Sequence, residues 1–466
     1  MHARGSYDPS MLSDPDISPL VSETMAALSG AIGSTVRQSD MPAAMRAKLE
    51  RSTFIFSGFK THAELSAVSR LLSKDGVKTP FDTFMREVKA VNRDYNVNYL
   101  RAEYNFAVHS SRSAALWERF SKDTDRYYLQ YRTAGDERVR EDHRPLHDIT
   151  LPFDDPFWAE YFPPNGWNCR CTAVRVRRSK YTPSDHDKAM AAGERATTSL
   201  DKHGNNRAAI FRFNPGAQET LFPPRHPYYK TPDKRAVTDA LDRISIDDMV
   251  AELPDNLSKA EKQAIAKQNI DLEQKLGVTK GKCMTIDEAD KQSANPNRDK
   301  GREYRINCQT CAPAYMLRIR GFDITAKANR RGTKLEYLSQ GYHVWEAWKN
   351  IDGSKAIHRA TSDWMASKGY KLMNPKRYRE FFEEVCSEPG IYELSIGWKG
   401  SSGHATILQR LDDGRLLYIE PQHDNSANRA LDYLCNNGEG KPHGCRGIMR
   451  IDNKLFNTDF VEIFDK

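Results

Sequence analysis

The sequence predicts a multidomain α+β protein. A mainly helical N-terminal domain is followed by a linker and by a C-terminal α+β domain with a central helix against an antiparallel sheet. Three observations predict this. The chain has 466 residues, more than one hydrophobic core of ordinary size organises. Its first third carries apolar residues at helical spacing, as in Phe84, Val88, Val91 and Tyr95, and a period near 3.6 places such residues on one face. Its last third runs from helical patterns into alternating segments, an order that suits α+β rather than repeated βαβ units.

Residues 1–45 alternate Ser, Asp, Pro and Met without sustained periodicity. They are expected to be a flexible segment with at most a short helix over 20–32. A first domain is expected over 46–180. In it, residues 43–73 and 81–121 read as helical, with a second helix starting near 105. Residues 127–133 (YYLQYRT) alternate and are aromatic, the pattern of a strand. A polar loop follows over 138–155, an aromatic loop over 157–171 and a strand over 172–176. Residues 181–282 read as an irregular and helical linker region, in which 239–276 is a charged helix. The last domain is expected over 283–466. Its helices come at 310–320 and 374–384, and its strands at 390–397, 404–411, 415–420 and 447–451.

Composition excludes several classes. Basic residues number 70 and acidic residues 63, a net charge of +7. The two signs are interspersed without an aromatic-basic stripe, so nucleic acid is not an expected partner. No run approaches the roughly 20 apolar residues of a membrane span, so no membrane association is expected. The N-terminal residues lack a basic stretch followed by an apolar run, and no Sec signal is expected. The eight cysteines, at 169, 171, 283, 308, 311, 386, 435 and 445, are too sparse for a disulfide scaffold and read as reduced thiols.

Two constellations carry chemistry. The first begins Gly135-Asp136-Glu137-Arg138-Val139-Arg140-Glu141-Asp142-His143-Arg144-Pro145-Leu146-His147-Asp148. It continues with Pro152-Phe153-Asp154-Asp155-Pro156-Phe157-Trp158 and ends in Pro163-Pro164-Asn165-Gly166-Trp167-Asn168-Cys169-Arg170-Cys171. This run resembles the phage Mu F-like minor head (head morphogenesis) family. The resemblance implies a component in or near the portal of a capsid, with portal and capsid proteins as partners and a virion-associated or cytoplasmic location. It does not imply an enzyme. Read from the residues alone, His143, His147, Cys169 and Cys171 are the types that hold a tetrahedral zinc ion. The alternative is a packed thiol pair held by hydrogen bonds from Arg170 and Asn168. A Cys169–Cys171 disulfide is disfavoured, because the two lie too close in sequence for relaxed geometry.

The second constellation has three parts: Asn307-Cys308-Gln309-Thr310-Cys311-Ala312, then Gly403-His404-Ala405, then Tyr418-Ile419-Glu420-Pro421-Gln422. A thiol precedes a helix, a histidine opens a strand, and a carboxylate ends the next strand. A thiolate is the reactive form of cysteine, and a helix N-terminus with a nearby imidazolium favours it. With its domain-scale spacing, this order resembles the papain-fold toxin family, described as glutamine deamidase toxins, over about residues 283–466. The resemblance implies Cys308 as nucleophile, His404 as base and Glu420 as orienter of the imidazole. Gln422 would hold His404 or donate to the oxyanion. It further implies a host protein substrate, a cognate immunity protein and no cofactor for catalysis.

Local chemistry leaves Cys311 as rival nucleophile. Pro313 is tolerated in a first helical turn, so a cap at Thr310 would suit Cys311 and a cap at Gln309 would suit Cys308. The third member is more usually Asp in the family, and Glu420 departs from that. Peptide-bond cleavage uses the same steps as deamidation, so a papain-like protease stays open, as does an inactive capsid-morphogenesis component. Cys308 and Cys311 also form a Cys-x-x-Cys, which with Cys435, His443 and Cys445 could hold zinc.

Overall fold

The computed structural model describes all residues except 1, 2, 4, 36–40, 75, 291–293, 341–342, 399–402, 423–441 and 466. It divides into two compact units, Met1–Ile244 and Ser245–Lys466. Each mixes helix and sheet. The division falls inside a helix, Lys234–Glu252.

The first unit opens with α1 (Ser18–Thr35), α2 (Ala43–Ser69), α3 (Phe81–Arg93) and α4 (Leu100–Phe120). One wide π turn over Asp94–Tyr99 joins α3 to α4, so the expected second helix continues the first. The N-terminal residues are not the loose segment expected. Val21, Leu28 and Ile32 of α1 are buried, as is Leu12 before it. Val21, Met25, Leu28 and Ile32 recur every three or four residues and form an apolar stripe. Intervening Ser, Ala and Gly dilute that stripe in the sequence.

Three strands then form an antiparallel sheet: β1 (Tyr127–Arg132) is central, between β2 (Thr150–Leu151) and β3 (Thr172–Arg177). Leu129, Leu151, Ala173, Phe157 and Trp158 build the core around it. The first part of the expected linker is integral to this unit. Ala189, Ala192 and Ala196 of α5 (His186–Ala196) join that core. Phe211, Phe213, Leu221 and Phe222 fill a second core with Leu28, Phe56 and Phe106. Aromatic residues in a turn-rich stretch read as a loop, yet burying them is what holds such a stretch in place.

In the second unit, α7 (Lys259–Leu276) follows the helix of residues 234–252, here α6. The expected single helix over 239–276 is two helices. Pro254 interrupts it, and Ser258 with Glu261 forms a capping box that starts the next. Leu272 and Leu276 of α7 lie in the main core of this unit, so these residues belong to the domain rather than to a linker.

The central helix is α8 (Cys308–Ile319), almost wholly buried. Gly321 ends it with φ +98°, and a Cβ there would lie 2.5 Å from the Gly281 carbonyl, so a side chain is excluded. Two amphipathic helices follow, α9 (Thr361–Ser367) and α10 (Pro375–Val385). The sheet has five strands: β4 (Arg359–Ala360), β5 (Gly390–Trp398), β6 (Gly403–Arg410), β7 (Leu416–Ile419) and β8 (Pro442–Arg450). Their order is β7-β6-β5-β8-β4, with every pairing antiparallel. Ala405, Ile407 and Ile419 face the core that contains α8. Leu394, Ile396, Leu408 and Tyr418 face the other way, onto Phe381 and Phe382 of α10. The period of two in each strand gives both faces.

Candidate functional site

Sheet register places the histidine and the carboxylate. Ile407 pairs with Ile419 and Leu408 with Tyr418. Continuing that ladder sets Glu420, just past β7, opposite Thr406. His404 is two residues before Thr406 and therefore on the same face. His404 Nε2 lies 2.6 Å from Glu420 Oε2. The carboxylate is buried and well supplied with donors. The Tyr418 hydroxyl donates to Oε2 at 2.7 Å, the Gln422 backbone N–H to Oε1 at 3.2 Å, and the Thr406 hydroxyl lies 3.4 Å from Oε2.

The thiol comes from the opposite side of the groove, at the first position of α8. The helix begins earlier than either expected cap, with Asn307 at its N-cap. Pro313 is thus the sixth helical residue, beyond the first turn. It has no N–H to offer the Gln309 carbonyl, a bond the helix forgoes. Cys308 is half-buried and lines a cavity of 760 Å³ with His404, Glu420 and Gln422. Arg298, Arg305 and Arg446 also line it.

The electrostatics bear on His404 and on Cys311. Burial opposes charge on His404, but Glu420 and a hydrogen bond with Cys308 outweigh it and hold the imidazole pKa well above its ordinary range. With Nε2 bonded to Glu420, Nδ1 is the nitrogen open to Cys308. Cys311 is fully buried, and its Sγ lies 3.2 Å from the Asn307 carbonyl as a donor. Burial, then the neighbouring Cys308 and Glu420, push its pKa well above that of an ordinary thiol. The structure therefore brings Cys308, His404 and Glu420 together and keeps Cys311 protonated in the core.

Gln422 has a different position from the one expected. Its side-chain amide donates to Asn307 Oδ1 at 3.3 Å rather than reaching His404. Asn307, fully buried, in turn donates to Asn295 Oδ1 and to the Lys327 carbonyl. Asn295 donates to the Gln422 carbonyl at 3.1 Å. These amides tie the start of α8 to the chain that follows Glu420, which fixes the thiol relative to the His–Glu pair. Asn295 carried no signal in the sequence. Tyr418 did, since i and i+2 share a strand face. Cys435 lies outside the described residues, as do the side chains of His443 and Cys445.

The first constellation gathers in the first unit. Two contacts fasten the loop before β2 to the segment before β3. Asp136 accepts both guanidinium nitrogens of Arg170 at 2.6 Å, and Arg140 donates to the Trp167 carbonyl at 2.6 Å. Gly166 lies under the Arg140 guanidinium, where a Cβ would overlap it. Asn168 takes a left-handed φ of 58°, which Asn tolerates better than most residues. The result places His143 Nδ1 3.7 Å from Cys169 Sγ and 3.7 Å from Cys171 Sγ, with all three residues buried.

Hydrogen bonding from Cys171 outweighs burial and lowers the Cys169 pKa well below the usual thiol value, while the same bond and burial raise that of Cys171. Arg170 points to Asp136, and Asn168 accepts from Asn105 at 3.0 Å, so neither holds the thiols as expected. His147 stands apart. Its Nδ1 accepts from the Thr133 backbone N–H at 3.2 Å, and it is half exposed.

Known proteins resemble part of the first unit. Residues 76–174 match the family described as Phage Mu protein F like protein. Protein F of Escherichia phage Mu, assigned to capsid assembly, is 40% identical over 75 residues, 16% of either chain. The Mu-like prophage FluMu F protein of Haemophilus influenzae is 34% identical over 110 residues, 22% of this chain and 25% of that one. The chain thus spans a quarter or less of the curated relatives it matches. No solved structure matches. Among the described residues no helix is long and apolar enough to cross a membrane. The N-terminal unit accordingly carries a phage Mu F-like domain over residues 76–174.

Proposed function

We propose that this chain is a phage-type minor head protein whose second unit is a papain-like cysteine amide hydrolase acting on glutamine side chains of host proteins. The head assignment rests on the Mu F-like domain and on the capsid-assembly role of its phage Mu relative. One observation carries the enzyme reading. A half-exposed thiol at a helix N-terminus is hydrogen-bonded to a histidine kept protonated by a buried carboxylate, and all three open onto one cavity. A packing role would require none of these features together.

The chemistry follows from the placement. The Cys308 thiolate attacks the carboxamide carbon, forming a C–S bond and a tetrahedral oxyanion. The N–H groups of Cys308 and Gln309, in the first turn of α8, have no intrahelical acceptor. They are available as donors for that oxyanion. The His404 imidazolium passes its proton to the departing nitrogen, the C–N bond breaks, and ammonia leaves a thioester. Neutral His404 then takes a proton from water, whose oxygen attacks the thioester and releases glutamate and the thiol. Glu420 stays ionised, orienting the imidazole and stabilising its charged form. No cofactor is required. Arg298, Arg305 and Arg446 favour a glutamine flanked by acidic residues. A cognate immunity protein that covers this cavity would protect the producing cell.

The test is to express the full chain in cells and search the proteome by mass spectrometry for glutamine-to-glutamate conversion, with Cys308→Ala as control. Conversions in the wild type alone establish the deamidase. New cleavage ends instead would make the unit a papain-like protease. Neither change would make it an inactive capsid-morphogenesis component.

A further inference from the structure

The loop cluster in the first unit has the geometry of a metal site. Zn–S bonds of about 2.3 Å and Zn–N bonds of about 2.0–2.1 Å at a tetrahedral angle place sulfur and nitrogen about 3.6 Å apart. His143 Nδ1 lies 3.7 Å from both Cys169 Sγ and Cys171 Sγ. The three donor atoms fall within 4.8 Å of one another. Two thiols converging on one nitrogen make a poor hydrogen-bond arrangement, because a neutral imidazole nitrogen offers one lone pair. Around a shared cation the same arrangement is satisfied. The His143 ring, 2% exposed, has no hydrogen-bond partner at Nε2 among the described residues, so the thiols are its main polar surroundings.

A candidate for the fourth ligand comes from α4. Asn105 of α4 is bonded to Asn168. His109, one helical turn on, shares that face. It is close enough to Cys169 for their charges to interact.

We propose that His143, Cys169 and Cys171 bind one zinc ion, with His109 completing the tetrahedron after a side-chain rotation. His147 is not a ligand. Binding exchanges the thiol protons for the metal and involves no redox step. The ion would join the loop before β2, the segment before β3 and α4, three parts of the Mu F-like domain that otherwise meet through the Asp136–Arg170 ion pair, the Arg140–Trp167 and Asn105–Asn168 hydrogen bonds and apolar packing. This site is independent of the hydrolase reading.

The experiment measures metal in full-length protein purified under reducing conditions, by elemental analysis and by titration with zinc and with cobalt(II). About one zinc per chain is expected, with cobalt giving the absorption of a thiolate-ligated tetrahedral centre. Cys169→Ser with Cys171→Ser, or His143→Ala, should lose the metal. His109→Ala should weaken retention about tenfold or more, and His147→Ala and Cys308→Ala should leave it unchanged. The cobalt spectrum of the wild type needs no variant, so a misfolded mutant does not blur the answer. No uptake of either metal, or uptake that survives the double serine variant, would overturn the site. Full retention in His109→Ala would overturn the fourth ligand.

Discussion

The molecule places cysteine beside histidine twice, and the two settings differ in three ways. Cys308 is half-buried at a helix N-terminus, faces a cavity, and has a histidine backed by a buried carboxylate. Cys169 and Cys171 are buried in an apolar core, face each other, and share a histidine with no carboxylate at its second nitrogen among the described residues. The first setting opens onto a cavity and favours a proton on His404. The second encloses its donors and points them at one another. Identical residue types therefore diverge through access, through the carboxylate, and through the number of thiols.

The largest effect expected from breaking this contrast is at Cys308. Cys308→Ala should lower glutamine deamidation about a thousandfold or more, while Cys311→Ala keeps most of it, measured as ammonia release with the identified substrate. Next comes the carboxylate. Glu420→Gln should cost about 10²–10⁴ in kcat without unfolding the protein, since an amide cannot stabilise the imidazolium.

The His404–Glu420 pair also predicts a pH dependence of stability. The His404 pKa is raised in the fold. Its contribution is therefore fully present below about pH 6.5, the unfolded value, and is lost as pH rises through the raised value. Denaturation midpoints should fall over that window, and His404→Gln should flatten the decline. A slope unchanged in the variant would assign it to other groups.

Smaller effects sharpen the account. Asn307→Ala removes the hub that ties α8 to the chain after Glu420, and should destabilise the protein by about 1–3 kcal/mol. Chemical denaturation measures it, and activity should fall with stability. The least effect is expected from Arg446→Glu. It should raise KM for an acidic substrate by up to about fivefold, and less at high salt.

Much of this was legible from the residues, for definite reasons. The strands of the second unit alternate strongly, and their ends were found within a few residues except for β8, which starts at Pro442 rather than near 447. Cys308, His404 and Glu420 stood out because each sits at an element boundary. The choice between Cys308 and Cys311 was not legible, since it depends on where α8 starts, and Pro313 misleads by lying in the helix. The strut role of Gln422 and the part of Asn295 depend on contacts between residues over a hundred positions apart. In the first unit, His147 and His143 are equivalent by composition. Only the turn between them sends one to the thiols and the other to Thr133. The buried aromatics at 211–222 looked like a loop because tertiary packing, and not local propensity, orders them.

The most direct test of the central claim is the rate at which iodoacetamide modifies each cysteine of the native full chain at neutral pH, read by peptide mass spectrometry. Cys308 should react at least roughly tenfold faster than Cys311, Cys169 or Cys171, and His404→Ala should remove most of that advantage. A Cys308 that reacts no faster than a free thiol, or whose rate is untouched by the loss of His404, would contradict an activated nucleophile in the second unit.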